Sequence, residues 1–366
     1  MRLIMNQKKV LVKIPPMDVL RCEEQRVISR NNSFDLIRHL AALAVLVSHH
    51  YVLSGFQEPM LKGYSSLGAI AVLAFFAISG FLISQSFLTT ASFYAYMEKR
   101  VARILPALIA CAFLMVYVAG IIFSKNSGVG YVFSLESVID FFKVIVFGRV
   151  DVNDITSGFI FKDSFNGSLW TLKIEFGFYV ALALALMAMR SAVMPIIIAL
   201  LFCITAYICT VSMHPMAPKF LVYSTVGIAF FLGSSFYFYR ALFDRPKVKL
   251  SMALASVVLI VTSLNTPFVM VLASVGISVL VLMVGTLFNE KIIRSRFDIS
   301  YGMYLYAFPV QQLMINLSSL GFYASLLTSI AVVVFLSTLS WFSVEKPVLS
   351  YVHGKSGRRL SVASVQ

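Results

Sequence analysis

The stretch LGAIAVLAFFAISGFLISQSFLTT, residues 67–90, runs for 24 residues without a single charge. At about 1.5 Å per helical residue it reaches about 36 Å, enough to cross a hydrocarbon layer roughly 30 Å thick. Working outward from it, the requirement of about 20 mostly apolar residues finds nine further spans. They are 34–54, 103–123, 168–189, 192–212, 220–239, 250–265, 267–288, 299–318 and 322–343. The span 250–265 is short, and only Asn265-Thr266-Pro267 separates it from the next. Composition points the same way. Hydrophobic residues make up 59% and charged residues 13%, against roughly 25% charged in a soluble domain, and mean hydropathy is +0.88. The aliphatic and aromatic content excludes a disordered chain. Four scattered cysteines (Cys22, Cys111, Cys203 and Cys209), three of them inside apolar runs, exclude a secreted disulfide scaffold. The expected fold class is all-α: a polytopic integral membrane protein with about ten transmembrane helices.

A net charge of +14 on a soluble protein would suggest nucleic acid. Here the basic residues lie between apolar blocks and report topology instead, because cytoplasmic segments retain Lys and Arg. With ten spans, 23 of the 30 basic residues fall on the side that holds both termini. The other side has Lys62, Lys125, Lys143, Arg149, Lys162, Lys173 and Lys219, although it includes the longest loop. Both termini are therefore expected in the cytoplasm. The expected organisation is a basic N-terminal segment 1–33, a membrane domain 34–347 and a cytoplasmic tail 348–366. The basic segment contains Lys8, Lys9, Lys13, Arg21, Arg26 and Arg30 and has no signal-peptide core. The start MRLIM offers two initiation sites, Met1 and Met5. The main extracytoplasmic loop is 125–167, whose apolar stretch near 138–147 is too short to span and reads as a surface helix or a re-entrant cover. No internal repeat of the kind that marks many transporters is visible.

Ionisable residues inside spans cost roughly 2.5–3.5 kcal/mol each at a helix centre, so a chain that keeps them generally uses them. The first span carries Asp35, Arg38, His39, His49 and His50. Arg38 and His49 are eleven residues apart, three turns plus about 20°, and so share one face with about 16 Å between them. Arg38 would then sit at the cytoplasmic mouth with His49 deep in the layer, a geometry in which a cytoplasmic donor could meet a base. His50 points about 100° away, at the outer boundary. Arg100 and Arg103 neighbour each other in EKRVARILPAL, 98–108. At the start of a helix they could bind an anion through guanidinium and free N–H groups, or serve as plain positive-inside charge. Lys173 and Glu175 interrupt the apolar span of NGSLWTLKIEFGFY, 166–179. Glu175 could orient a histidine or a hydroxyl. Glu345 in FSVEKP, 342–347, reads as a helix end stopped by proline. The five histidines show no ligand spacing, so no metal is expected.

In order, Arg38-x10-His49, FFAISGFLI (75–83), Arg100-x-x-Arg103-Ile-Leu-Pro, GSLWTLKIEFGFY, SYGMYLYAFP (300–309) and VEKP resemble acyltransferase family 3. The resemblance covers residues 34–347. It implies a membrane O-acyltransferase that moves an acyl group, usually acetyl, from cytoplasmic acetyl-CoA to a hydroxyl of a cell-surface or lipid-linked glycan, such as O-antigen or exopolysaccharide, at a bacterial inner membrane. It implies His49 as base or transient acyl carrier and Glu175 as an orienting or acceptor-side carboxylate, both catalytic. Arg38, Arg100 and Arg103 would bind the coenzyme A phosphates. Tyr304, Ser300 and Ser79 are candidate donors to a developing oxyanion. The sequence departs from the pattern at Ala307, where many relatives have histidine, and at Lys173, where a small polar residue is usual. The expected partners are acyl-CoA, a glycan or other hydroxyl acceptor and the lipid bilayer, with no nucleic acid. The alternative is a solute transporter or flippase of the inner membrane using the Arg38, His49 and Glu175 charges.

Overall fold

The computed structural model describes residues 32–90, 92–123, 128–148, 152, 155–189, 191–290, 293, 297–352 and 354. Most of the basic N-terminal segment, the tail from 355 onward, and Lys125, Arg149, Arg190, Lys291, Arg294 and Arg296 lie outside them.

Each expected span coincides with a helix. These are α1 (Phe34–Leu53), α2 (Leu67–Leu88), α3 (Phe93–Phe123), α6 (Trp170–Met189), α7 (Met194–Val211), α8 (Ala217–Tyr239), α9 (Pro246–Ser263), α10 (Val269–Leu287), α11 (Ser300–Leu317) and α12 (Phe322–Val352). Two short helices, α4 (Gly128–Val132) and α5 (Leu135–Phe147), lie in the long loop. Nine helices among the described residues are long and apolar enough to cross a membrane. The remaining long helix, α11, is 18 residues long and less apolar, yet every residue from Gly302 to Gln312 is buried. Its polar side chains are sheltered by protein rather than lipid, which is how polar residues are kept at membrane depth. Among the described residues β-structure is confined to a two-residue ladder, Met60–Leu61 with Ser65–Ser66, in the α1–α2 turn.

Two sequence expectations are corrected. Helix α3 begins at Phe93, capped by Ser92, whose hydroxyl accepts from Ala95 N. Arg100 and Arg103 therefore lie more than a turn inside the helix, where backbone N–H groups already have carbonyl partners. The helix-terminus anion site is absent, and Pro106 falls mid-helix rather than in the first turns. At the other end of the chain, α12 does not stop at Pro347 but continues to Val352. A π-helical turn, Trp341–Glu345, immediately precedes the proline. A second π turn, Leu114–Ala119, interrupts α3.

The bundle is held by close backbone approach, as expected where lipid competes with apolar side chains for contact. A Cβ at Gly80 of α2 would run into the Phe230 carbonyl of α8, and one at Gly233 of α8 into the Ala77 carbonyl of α2. Beside this crossing Ser84 Oγ donates to Ser234 Oγ at 2.7 Å. Around it lies the largest core cluster, with Phe76, Phe81, Phe230, Phe231 and Tyr237. A smaller core joins α3, α11 and the loop through Cys111, Met115, Phe165, Leu169 and Leu305. Helix α5 presents Leu135, Val138, Ile139, Phe142 and Val146 outward, a stripe at helical spacing suited to an interfacial helix. Its inner side is anchored by Tyr131 Oη, which donates to Asp140 at 2.9 Å.

Gly80→Val should force α2 and α8 apart, an overpacking cost of about 1–3 kcal/mol or more. Thermal unfolding in detergent should show a clear loss of stability, whereas an unchanged melting temperature would mean the crossing is not tight.

Candidate active site

A cavity of about 990 Å³ lies between α1, α2, α3, α6, α11 and the end of α12. That is at the upper end of the roughly 300–1,000 Å³ of ligand sites. Its mouth is marked by the exposed Lys346 and Ser350. Arg38, Lys99, Arg100, Arg103 and Lys346 give it five cationic side chains, against the carboxylates of Glu175 and Asp298. The four site residues Arg38, Arg100, Arg103 and Glu175 singled out from sequence thus share one space.

The two arginines nearest the start of α11 converge on one atom. Arg38 Nη2 and Arg103 Nη2 each donate to Asp298 Oδ2 at 2.6 Å. Arg38 Nη2 also meets Asp35 Oδ1 at 2.8 Å, and Arg103 Nη1 lies 3.6 Å from Glu345 Oε2. Ser300 Oγ donates to the other Asp298 oxygen at 2.6 Å. The π turn of α12 delivers Glu345 to this cluster. Asp298 is buried, which alone would raise its pKa, but Arg103 and Arg38 beside it, with the Ser300 hydroxyl, hold its carboxyl well below the usual carboxylate range. No sequence signal marked Asp298, because a single carboxylate just outside a span reads as a loop residue.

Arg100 takes no part in that cluster. Its Nη2 donates to Ser86 Oγ at 3.1 Å, its guanidinium faces the rings of Tyr96 and Tyr179 at 5.8 and 5.9 Å, and its buried Nε has no acceptor. Arg38 Nε is likewise buried and unpartnered. Nearby, Glu175 accepts from Ser79 Oγ at 2.7 Å and from Tyr179 Oη. Lys173, two residues earlier, is exposed on another side of α6, as the spacing requires. All three candidate oxyanion donors line the cavity, and each hydroxyl already has a protein acceptor: Ser79 on Glu175, Ser300 on Asp298, Tyr304 on Ser168 O at 2.9 Å.

His49 does not line this cavity. The matched phase of Arg38 and His49 does aim both at the α11 chain: Arg38 meets Asp298, and the His49 ring stands edge-on to Phe308, with centroids 5.2 Å apart. Of the α11 residues that line the cavity Tyr304 is the furthest along the helix; its Oη accepts from Thr171 Oγ1 at 2.8 Å and its ring rests against Phe75. Phe308 is one turn, about 6 Å, further along α11. On its far side Phe308 meets Phe161 of the long loop, at 5.8 Å. That loop is pinned to α11 by Gln312 Nε2, which donates to Phe161 O and Ser164 O at 3.0 Å, and by Asn316, which accepts from Ile160 N at 2.8 Å. The loop around Phe161 thus meets the same ring that faces His49. His49 Nδ1 is buried with no partner.

His50 lies in the last turn of α1, beside the first residue of α12. It is fully buried, with Nδ1 accepting from Gln311 Nε2 at 3.2 Å and Nε2 facing Ser325 Oγ at 3.1 Å and Phe322 O at 3.2 Å. Ala307, where the family resemblance leads to an expected histidine, is buried in an apolar cluster with Ala42, Leu46 and Val310. A polar group is not needed there for packing.

A family model described as an acyltransferase domain matches residues 31–344. The chain is 37% identical over 325 residues to a protein of Shigella phage Sf6 named O-acetyl transferase, covering 88% of this chain and 97% of that one. It is also 26% identical over 364 residues to nodulation protein 10 of Rhizobium leguminosarum bv. viciae, covering 91% and 97%. No solved structure matches.

The two histidines should separate by stability. His50→Ala, which strands Gln311, should cost about 1–3 kcal/mol, and His49→Ala should cost less because its Nδ1 bonds nothing. Equal melting temperatures for the two variants would contradict the assignment. Asp298→Asn should destabilise by about 2–4 kcal/mol at neutral pH. An unfolded Asp titrates near ~3.9, above the folded value, so this stabilisation is full above about pH 5 and is lost as pH falls below about 4. The melting-temperature difference from wild type should be flat from about pH 8 to 5 and shrink in acid.

Proposed function

The chain belongs to acyltransferase family 3 and is an O-acetyltransferase, and on that premise we propose that its donor is acetyl-CoA bound in the 990 Å³ cavity. The observation that carries this is the set of cations around that space, in which the buried Arg38 Nε and Arg100 Nε lack acceptors. Buried donors of this kind call for a partner, and a ligand with several phosphates supplies it. Lys346 at the mouth, together with Lys99, Arg38, Arg100 and Arg103, would hold the phosphates, leaving the thioester to point toward Tyr304. The chain would span the bilayer of a bacterial inner membrane ten times, with the basic end and both termini in the cytoplasm, as the positive-inside rule supports.

The acceptor is a hydroxyl of a cell-surface or lipid-linked glycan, such as O-antigen or exopolysaccharide, as the family resemblance implies. It would approach His49 from the opposite side, beneath the loop around Phe161. In the transfer step the hydroxyl oxygen attacks the thioester carbonyl carbon while its proton passes to His49. The carbon–sulfur bond breaks, and the departing sulfur takes the proton back as the CoA thiol. His49 has a free Nδ1 for this exchange. Glu175, fixed by Ser79 and Tyr179, orients the donor end of the path. The thioester reaches His49 once Tyr304 and Phe308 move aside by about one turn of α11.

The test is mass spectrometry of surface glycans from a deletion strain complemented with wild type or His49→Ala. Wild type should add the mass of one acetyl group per acceptor, and His49→Ala should lose this by about 100-fold or more. Full restoration by His49→Ala would remove His49 from the reaction. No mass change with wild type would remove the glycan acceptor.

A further inference from the structure

We propose that Asp298 is a positioning residue that competes with a donor phosphate for Arg38 and Arg103, and so sets how tightly the donor is held. The inference rests on the reading that coenzyme A occupies this cavity. Its basis is the convergence of both guanidiniums, through Nη2, on the single oxygen Asp298 Oδ2 at 2.6 Å. A phosphate oxygen is bound by the same fork of N–H donors that binds a carboxylate. Asp298 thus stands where two arginines from different helices can be reached at once by an anion in the cavity.

The charge balance argues for competition rather than coexistence. Arg38 and Arg103 face three carboxylates: Asp35 at 2.8 Å, Asp298 at 2.6 Å and Glu345 at 3.6 Å. A phosphate added with all three in place would bring like charges together in a poorly solvated space, which is strongly unfavourable. Of the three, Asp298 is the one that lines the cavity, and it hangs from the non-helical residues 297–299, so its side chain can turn away without breaking a helix. The Ser300 hydroxyl on Oδ1 at 2.6 Å is its retaining bond. In the donor's absence the carboxylate keeps the two partly buried guanidiniums compensated and aimed at one point. Once it yields, they are already in position.

The experiment measures binding of coenzyme A to the detergent-purified full chain by titration calorimetry. Asp298→Asn should bind coenzyme A at least about fivefold more tightly than wild type, the lower scale of site-to-site coupling, and Asp298→Glu should return affinity toward wild type. Asp35→Asn removes a charge from the same cluster but not from the shared vertex, and should change affinity less than about twofold. A merely structural role for Asp298 would weaken binding on substitution. Equal or weaker binding by Asp298→Asn, or equal tightening by Asp35→Asn, overturns the proposal while leaving the donor assignment intact. Absence of coenzyme A binding by wild type overturns the donor assignment and the proposal with it. Should Asp298→Asn not fold, Ser300→Ala keeps every charge and frees the carboxylate. It should tighten binding about twofold, and unchanged or weaker binding overturns the proposal.

Discussion

Charge placed inside a membrane protein must be compensated by the protein, and the ion cluster around Asp298 is where this chain meets that constraint. Arg38 on α1, Arg103 on α3, Asp298 at the start of α11 and Glu345 on α12 are far apart in sequence and meet at one end of the bundle. None of the four could be left there alone without a heavy desolvation cost. Their mutual compensation ties together four helices, which with α2 and α6 enclose the cavity. The tight α2–α8 crossing at Gly80 and Gly233, on the helix that gives the cavity Phe75, Phe76 and Ser79, needs no charge. One part of the molecule is thus held by electrostatics and another by backbone proximity.

Along α11 the polar and aromatic residues fall in sequence from one side of the layer to the other. Asp298 and Ser300 precede Tyr304 in the lining of the cavity, Phe308 lies against His49, and Gln312 and Asn316 hold the outer loop. This order explains why α11 is the least apolar of the long helices and yet is buried. It also divides the path: a cationic space on one side, a histidine on the other, and one turn of aromatic side chains between. For the proposed thioester donor, such a layer would keep water away until both substrates are present.

The helices were legible in the sequence because hydropathy over about 20 residues is a strong, local signal. The shared phase of Arg38 and His49 was legible for the same reason, since helical geometry alone decides it. What escaped was whatever depends on segments distant in sequence. Asp298 acquires meaning only when residues 260 and 195 positions away fold onto it. The true start of α3 at Phe93 was hidden because Glu98, Lys99 and Arg100 make its first turns look like a loop. The proline at 347 looked like a stop because a π turn in front of it leaves no sequence mark. Period and composition likewise could not reveal that the cavity ends one turn short of His49.

The most direct measurement is an electron cryomicroscopy structure of the chain in a lipid nanodisc with a non-hydrolysable acetyl-CoA analogue. The expected result has the phosphates among Arg100, Arg103 and Lys346. The acyl carbonyl lies within hydrogen-bond reach of His49, and Phe308 has swung off the histidine ring. An analogue whose acyl end stops beside Ser79 and Glu175 with Tyr304 and Phe308 unmoved, or one bound outside the cavity, would contradict a path in which His49 meets the donor.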